Sequence, residues 1–91
     1  MKPRSKIEII ADILESIMSD STMPSSKIMY KAFLSYKQLK EYVPLLLQNE
    51  LIQQHENGQT LMITSKGLNF LEMYNRLPEF LTAADRMTMR N

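Results

Sequence analysis

The chain has no cysteine, only two glycines, and a formal net charge of just +1. The missing cysteine excludes disulfides, cysteine-ligated zinc and thiol chemistry, and it fits a reducing interior. No apolar run approaches the roughly 18 residues of a membrane span, so no membrane partner is expected. The opening Met1-Lys2-Pro3-Arg4 lacks the apolar core of a signal peptide, and the expected setting is the cytoplasm. G-x-S-x-G, P-loop, HExxH and paired-acid patterns are also missing. His55 is the single histidine. It has no partner at ligand spacing and reads as a surface side chain. Nothing here implies an enzyme, a cofactor, a metal or a small-molecule substrate.

What is present is ordinary for one small globular domain: 91 residues, 44% hydrophobic and 23% charged. A chain of this size buries a modest fraction of its surface, so dimerisation would be unsurprising. The eight methionines read as core filler and helix formers. Charge is unevenly spread. Residues 1–40 carry seven basic and four acidic side chains, and residues 41–91 carry four basic and six acidic. From Ser21 to Lys40 there are four lysines (Lys27, Lys31, Lys37, Lys40) and no acid. The first half therefore suits a polyanion better than the second. The plainer reading is that lysines only solvate exposed helix faces.

Local signals give the order of elements. Ser5 and Glu8 form a capping box that starts a helix. Ile7, Ile10, Ala11, Leu14, Ile17 and Met18 make its apolar stripe. Ile9 and Ile13 lie off that stripe, widening the buried face or meeting another element. Ser21 to Ser26, with Pro24, is a polar loop. Ser25 or Ser26 caps a second helix whose inner side is Ile28, Met29 and Ala32, with Lys27 and Lys31 outside. Phe33 and Leu34 at the following turn are expected to plug the core. Ser35 and Gln38 form a second capping box, and Leu39, Val43, Leu46 and Leu47 point inward, with Tyr42 at the margin. Pro44 inside this helix costs about 3 kcal/mol. It implies a kink near Lys40-Glu41, or a helix that ends at Val43 and restarts. Leu51–His55 and Thr60–Ile63 read as a hairpin around Asn57-Gly58. Thr64 or Ser65 then caps a helix with Leu68, Leu71 and either Met73 or Tyr74 inside. Pro78 opens a short last helix with Leu81, Ala84, Phe80 and Met87 as its apolar members. The fold class is mainly α with a small β-hairpin, in α-α-α-β-β-α order: a winged helix-turn-helix.

Three segments carry a resemblance as well. KIEIIADILESI, KIMYKAFLSYKQLKEYVPLLLQNELI and MITSKGLNFLEMYNRL resemble an archaeal winged helix-turn-helix family of small predicted transcriptional regulators. Relatives of that family include abundant archaeal chromatin-associated proteins. The matching motifs are Ile28-Met29-Tyr30, Leu34-Ser35-Tyr36 and Ile63-Thr64-Ser65-Lys66-Gly67, and the similarity covers about residues 5–77. The family's usual glycine before Leu-Ile is Glu50 here, or is displaced onto Asn49. The resemblance implies a DNA-binding domain over residues 1–77. It leaves 78–91 as a tail whose short helix would lie at a dimer interface; Pro78 departs from the long pairing helix of the chromatin-associated members.

In a helix-turn-helix the second helix of the motif enters the major groove with its N-terminal residues nearest the bases. Tyr36, Lys37, Gln38 and Lys40 are therefore the candidates for DNA contact. Gln38 either reads adenine or only closes its capping box. Tyr36 either bonds a phosphate or packs over the turn. Lys27, Lys31 and the leading Lys2, Arg4 and Lys6 suit the phosphate backbone. Asn57 and Gln59 suit a weakly contacting wing without Lys or Arg. The leading expectation is sequence-specific double-stranded DNA binding by a homodimeric regulator. The alternative is a protein–protein adaptor, with Ile9, Ile13, Phe80 and Leu81 forming either its contact surface or simply the homodimer seam, and a non-specific chromatin role comes third.

Overall fold

Two capping boxes set the two long helices of the N-terminal half. Helix α1 (Lys6–Met18) begins where the Ser5 hydroxyl accepts from the Glu8 amide and the Glu8 carboxylate accepts from the Ser5 amide. Helix α3 (Tyr36–Gln48) repeats the pattern with Ser35 and Gln38. Between them lies α2 (Ser25–Lys31). Strands β1 (Ile52–His55) and β2 (Thr60–Ile63), helix α4 (Ser65–Arg76) and a 3-10 turn (Leu77–Phe80) follow. The computed structural model describes residues 3–80, and its element order is that of a winged helix-turn-helix. Leu81, Ala84 and Met87, expected in a last helix, lie outside the described residues. The 3-10 turn begins one residue before Pro78.

Helix α1 is the hub. It packs against α2, β2 and α4, so it is covered on more than one side. Ile13, Leu14 and Ile17 are completely buried, and Ile9, Ile10 and Ala11 nearly so. Ile9 and Ile13 thus belong to the core and are not spare surface. The expected stripe fails at its two ends, where Ile7 and Met18 are about half exposed. Both lie on the uncovered side of the terminal turns, whose Ile9 and Ile17 are buried. Tyr42 lies in the core with Leu39 and Leu46, while Val43 and Leu47 are only half buried. The buried stripe of α3 is therefore rotated toward Tyr42 from the expected one. Helix α3 runs unbroken through Pro44, which lies on its exposed side. The proline ring faces solvent there and displaces no core side chain.

Two helix ends are closed by the same device. At the end of α2, Leu34 N–H donates to Met29 C=O and Phe33 N–H to Tyr30 C=O. At the end of α3, Leu51 N–H donates to Leu46 C=O and Glu50 N–H to Leu47 C=O. These paired bonds are the Schellman closure, which requires a left-handed residue. Phe33 (φ 56°) and Glu50 (φ 59°) supply it although neither is glycine. Phe33 consequently does not plug the core: it is 83% exposed, and Leu34 alone turns inward. Of the two residues before Leu51, Glu50 and not Asn49 takes the left-handed position that suits glycine. Helix α2 also departs from expectation at its start. Neither serine caps it; extended Pro24 occupies the cap position, and its carbonyl accepts from Lys27 and Ile28.

The hairpin pairs Ile52 with Ile63 and His55 with Thr60. Glu56, Asn57 and Gly58 all take positive φ in its turn. A two-stranded hairpin is marginal alone, and here the α1–α2 loop supports it. Met23, in a segment that reads as merely polar, is fully buried. It exchanges two backbone hydrogen bonds with Leu61, 2.9 and 2.8 Å. Thr64 caps α4, accepting from Gly67 N–H and donating to Glu50 C=O. Leu71 is the buried residue of α4 along with Gly67, and Tyr74 is half buried. Leu68 and Met73 are exposed, because only one narrow face of α4 meets α1. Gly67 is required: a Cβ there would lie 2.3 Å from the Leu51 carbonyl oxygen.

Two substitutions test these backbone constraints. Glu50→Gly relieves the left-handed conformation and should add about 0.5–1 kcal/mol of stability. In thermal unfolding this is a rise of roughly 4 °C. Gly67→Ala should cost about 2 kcal/mol or more, because backbone has to move to admit the methyl.

Candidate nucleic-acid interface

The first turn of α3 presents its side chains outward because the Ser35 capping box fixes where the helix begins and Leu39 and Tyr42 fix which side is buried. Tyr36 is the first residue and is 66% exposed, so it does not pack over the turn. Lys40, one turn later, holds its Nζ 5.3 Å from the centre of the Tyr36 ring. This is a cation–π pair that aligns both side chains on one face. Lys37 is exposed and has no hydrogen-bond or ion-pair partner among the described residues. Gln38 is half buried, and its Oε1 accepts from the Ser35 amide at 3.0 Å. Its oxygen is therefore committed to the cap, which takes away one arm of the two-point contact that glutamine makes with adenine. Ser25, Tyr36, Leu39, Lys40, Val43 and Pro44 line a shallow groove of about 310 Å³ between the start of α2 and α3.

Lys27 and Lys31 sit on the outer face of α2 but are not free. Lys27 Nζ donates to Asp20 Oδ2 at 3.1 Å. Lys31 Nζ lies 2.5 Å from the Ser19 hydroxyl oxygen and 4.0 Å from the same Asp20 oxygen. The hydrogen bond from Lys27, followed by the charges of Lys27 and Lys31, lowers the pKa of Asp20. Asp20 immediately precedes the acid-free window that made these lysines conspicuous. It was legible as a neighbour in sequence, but the contact of this turn residue with α2 was not.

Arg4 was expected to face a phosphate backbone, and the structure uses it internally instead. Its Nη1 donates to Asp12 Oδ2 at 2.8 Å and to Ala32 C=O at 2.7 Å, and its Nη2 donates to Phe33 C=O at 2.8 Å. The guanidinium thus closes the carbonyl end of α2, where the helix dipole favours a cation, and ties it to α1. Lys6 remains exposed, and Lys2 lies outside the described residues. The wing candidates Asn57 and Gln59 are both exposed at the hairpin turn, on a different element from the lysines. The fold therefore yields two basic groups, α3's first turn and α2's outer face, with a polar wing apart from them.

The charge on α1 is of the other sign. Glu8, Asp12 and Glu15 recur at helical spacing and raise the pKa of the Tyr74 phenol, after burial as the larger cause. Glu8 itself is held below the ordinary carboxylate range by the Ser5 amide and hydroxyl. The side of α1 that faces Tyr74 is thus acidic, while Lys6 and Lys66 line a pocket with Ile10 of α1 and Phe70 of α4.

The sequence profile of the family described as winged helix-turn-helix matches residues 3–82. An uncharacterized protein of Methanocaldococcus jannaschii is 39% identical over 69 residues, which is 76% of this chain and 31% of that protein. The chain thus spans about a third of the length of that relative. Among solved structures, Sso10a-2, a DNA-binding protein from Sulfolobus solfataricus, superposes with a TM-score of 0.70 at 22% identity. The superposition covers 96% of this chain and 95% of that one.

Removing the Arg4 staple tests its structural role. Arg4→Ala deletes three charge-assisted bonds at a partly exposed site, and denaturant unfolding should show a loss of about 1–2 kcal/mol. Arg4→Lys should recover only part of it, because one ammonium does not match the two-carbonyl fork.

Proposed function

The chain belongs to the winged helix-turn-helix family, and on that premise we propose that it binds double-stranded DNA as a small archaeal transcriptional regulator in the cytoplasm. Helix α3 docks in the major groove. The observation that carries this is the start of α3: Tyr36, Lys37 and, one turn on, Lys40 project from a capped helix start, and no acidic side chain pairs with either lysine among the described residues. Helix-turn-helix docking brings that helix start closest to the base edges. Lys37 reaches a phosphate or a guanine edge, and Tyr36 with Lys40 forms a flat, cationic edge beside it. Gln38 orients the helix through its cap, with its amide nitrogen left for a contact. Lys27 and Lys31 lie along the phosphates from α2, and Asn57 and Gln59 give the wing a light, uncharged contact. The DNA-binding description of Sso10a-2 agrees with this reading.

The protein acts as a homodimer, with the segment from Pro78 onward at the interface. Met73, Leu77 and Phe80 support this. They recur at helical spacing and are all substantially exposed, an apolar row that a monomer leaves in water. Ile9 and Ile13, candidates for an adaptor's contact surface or for the homodimer seam, are buried in the core and serve neither.

Lys37→Ala with Lys40→Ala is the direct test, read by titrating duplex DNA across a range of salt. Affinity should fall at least about tenfold, and the slope of log K against log salt should flatten by roughly 2. An unchanged affinity removes the docking arrangement. Selection from random duplexes should return one preferred sequence; binding without preference would indicate chromatin packaging instead.

A further inference from the structure

On the outer face of α2, Lys27 and Lys31 both face the Asp20 carboxylate. Asp20 follows the end of α1, where its N–H donates to Ile17 C=O at 3.2 Å and its C=O accepts from Thr22 N–H at 2.6 Å. Ser21, the next residue, has φ 63°, so the chain reverses tightly here. These backbone bonds place the carboxylate opposite α2. One oxygen, Oδ2, meets Lys27 Nζ at 3.1 Å and Lys31 Nζ at 4.0 Å. The Ser19 hydroxyl donates to Ser16 C=O at 2.8 Å and accepts from Lys31 Nζ. Two ammonium groups spaced one helical turn apart, converging on a single oxygen, are the arrangement that grips one phosphate oxygen.

We propose that Asp20 is an internal phosphate mimic, holding Lys27 and Lys31 out of use until a DNA phosphate displaces it. The inference rests on the DNA-binding reading above and adds a competitor to it. The side chains of Lys27, Lys31 and Asp20 are 58%, 42% and 38% exposed, so the clamp lies in water within reach of a ligand. Exposed pairs of this kind are weak enough to exchange for another anion. With the carboxylate in place the cluster carries one net positive charge; without it, two. Each lysine released to a phosphate displaces a condensed counterion and steepens the salt dependence by about 0.9. Asp20 thereby sets how tightly the protein holds DNA of any sequence, while α3's first turn sets which sequence it prefers.

The experiment compares wild type and Asp20→Asn on one duplex between 50 and 200 mM salt, about the range over which phosphate contacts are read. Asn keeps the shape and removes the charge. Binding should tighten about threefold to tenfold at the low end, with a slope within about 1 of the wild type's, because both proteins hold the same phosphates once bound. The same substitution in a Lys27→Ala/Lys31→Ala background should give no gain. Unchanged or weaker binding by Asp20→Asn overturns the proposal. So does a gain of equal size in the double-alanine background, which would mean only a general loss of negative charge. If wild type and every variant fail to bind duplex DNA, the DNA reading falls and this one falls with it. If wild type binds and Asp20→Asn does not bind more tightly, only the mimic falls.

Discussion

Burial of α1 is the constraint on which the rest depends. A helix amphipathic in the ordinary sense rests one face on its neighbours. This one has Ile9, Ile10, Ala11, Ile13, Leu14 and Ile17 all inside and must be wrapped. Helix α2, strand β2 and helix α4 supply the wrapping, and each is short or marginal by itself. Seven residues of α2 and a two-stranded hairpin gain their stability from the hub, not from local propensity. The isoleucine-rich middle of α1 therefore determines where the helix-turn-helix pair and the wing sit. It does so without contributing a single side chain to the proposed DNA surface.

Electrostatics divides the molecule in a way the net charge conceals. Arg4 is consumed by the α2 terminus and Asp12, and Lys27 and Lys31 are held by Asp20 and Ser19. Lys66 donates to the Asn49 carbonyl at the end of α3. Among the described residues the cations with no hydrogen-bond or ion-pair partner are Lys37 and Lys40 at the start of α3 and Lys6 at the start of α1. A protein with little excess charge can still address DNA if its free cations are few and well aimed, and binding that depends on few phosphates leaves more of the work to base contacts.

The elements were legible wherever the signal was local. Ser5 with Glu8 and Ser35 with Gln38 are four-residue patterns whose hydrogen bonds close within the pattern itself, and Asn57-Gly58 marks its own turn. Reading failed where position in the fold overrides residue type. Phe33 is apolar, yet its place after the α2 cap requires a left-handed backbone and swings its ring outward. Met23 lies among polar neighbours, yet it is pulled inside by pairing with Leu61. Of the site, the exposed Tyr36, Lys37 and Lys40 followed from helix phase. The engagements of Arg4 with residues 32 and 33, and of Asp20 with α2, did not, because those partners are brought together only by tertiary packing.

The pairing of Met23 with Leu61 has a consequence for how the protein assembles. These are the closing bonds of a loop of 38 positions, and they enclose both helices of the helix-turn-helix motif together with β1. Among the described residues, every other backbone pairing outside the helices joins residues much closer in the chain. The entropy of closing that long loop is paid before its two hydrogen bonds form. The segment from α2 through the hairpin is thus a ring joined in the backbone by this pair, with α1 packed on both α2 and β2. Each residue of the pair donates its N–H to the other's carbonyl, so amide exchange at Met23 and at Leu61 should follow one opening event.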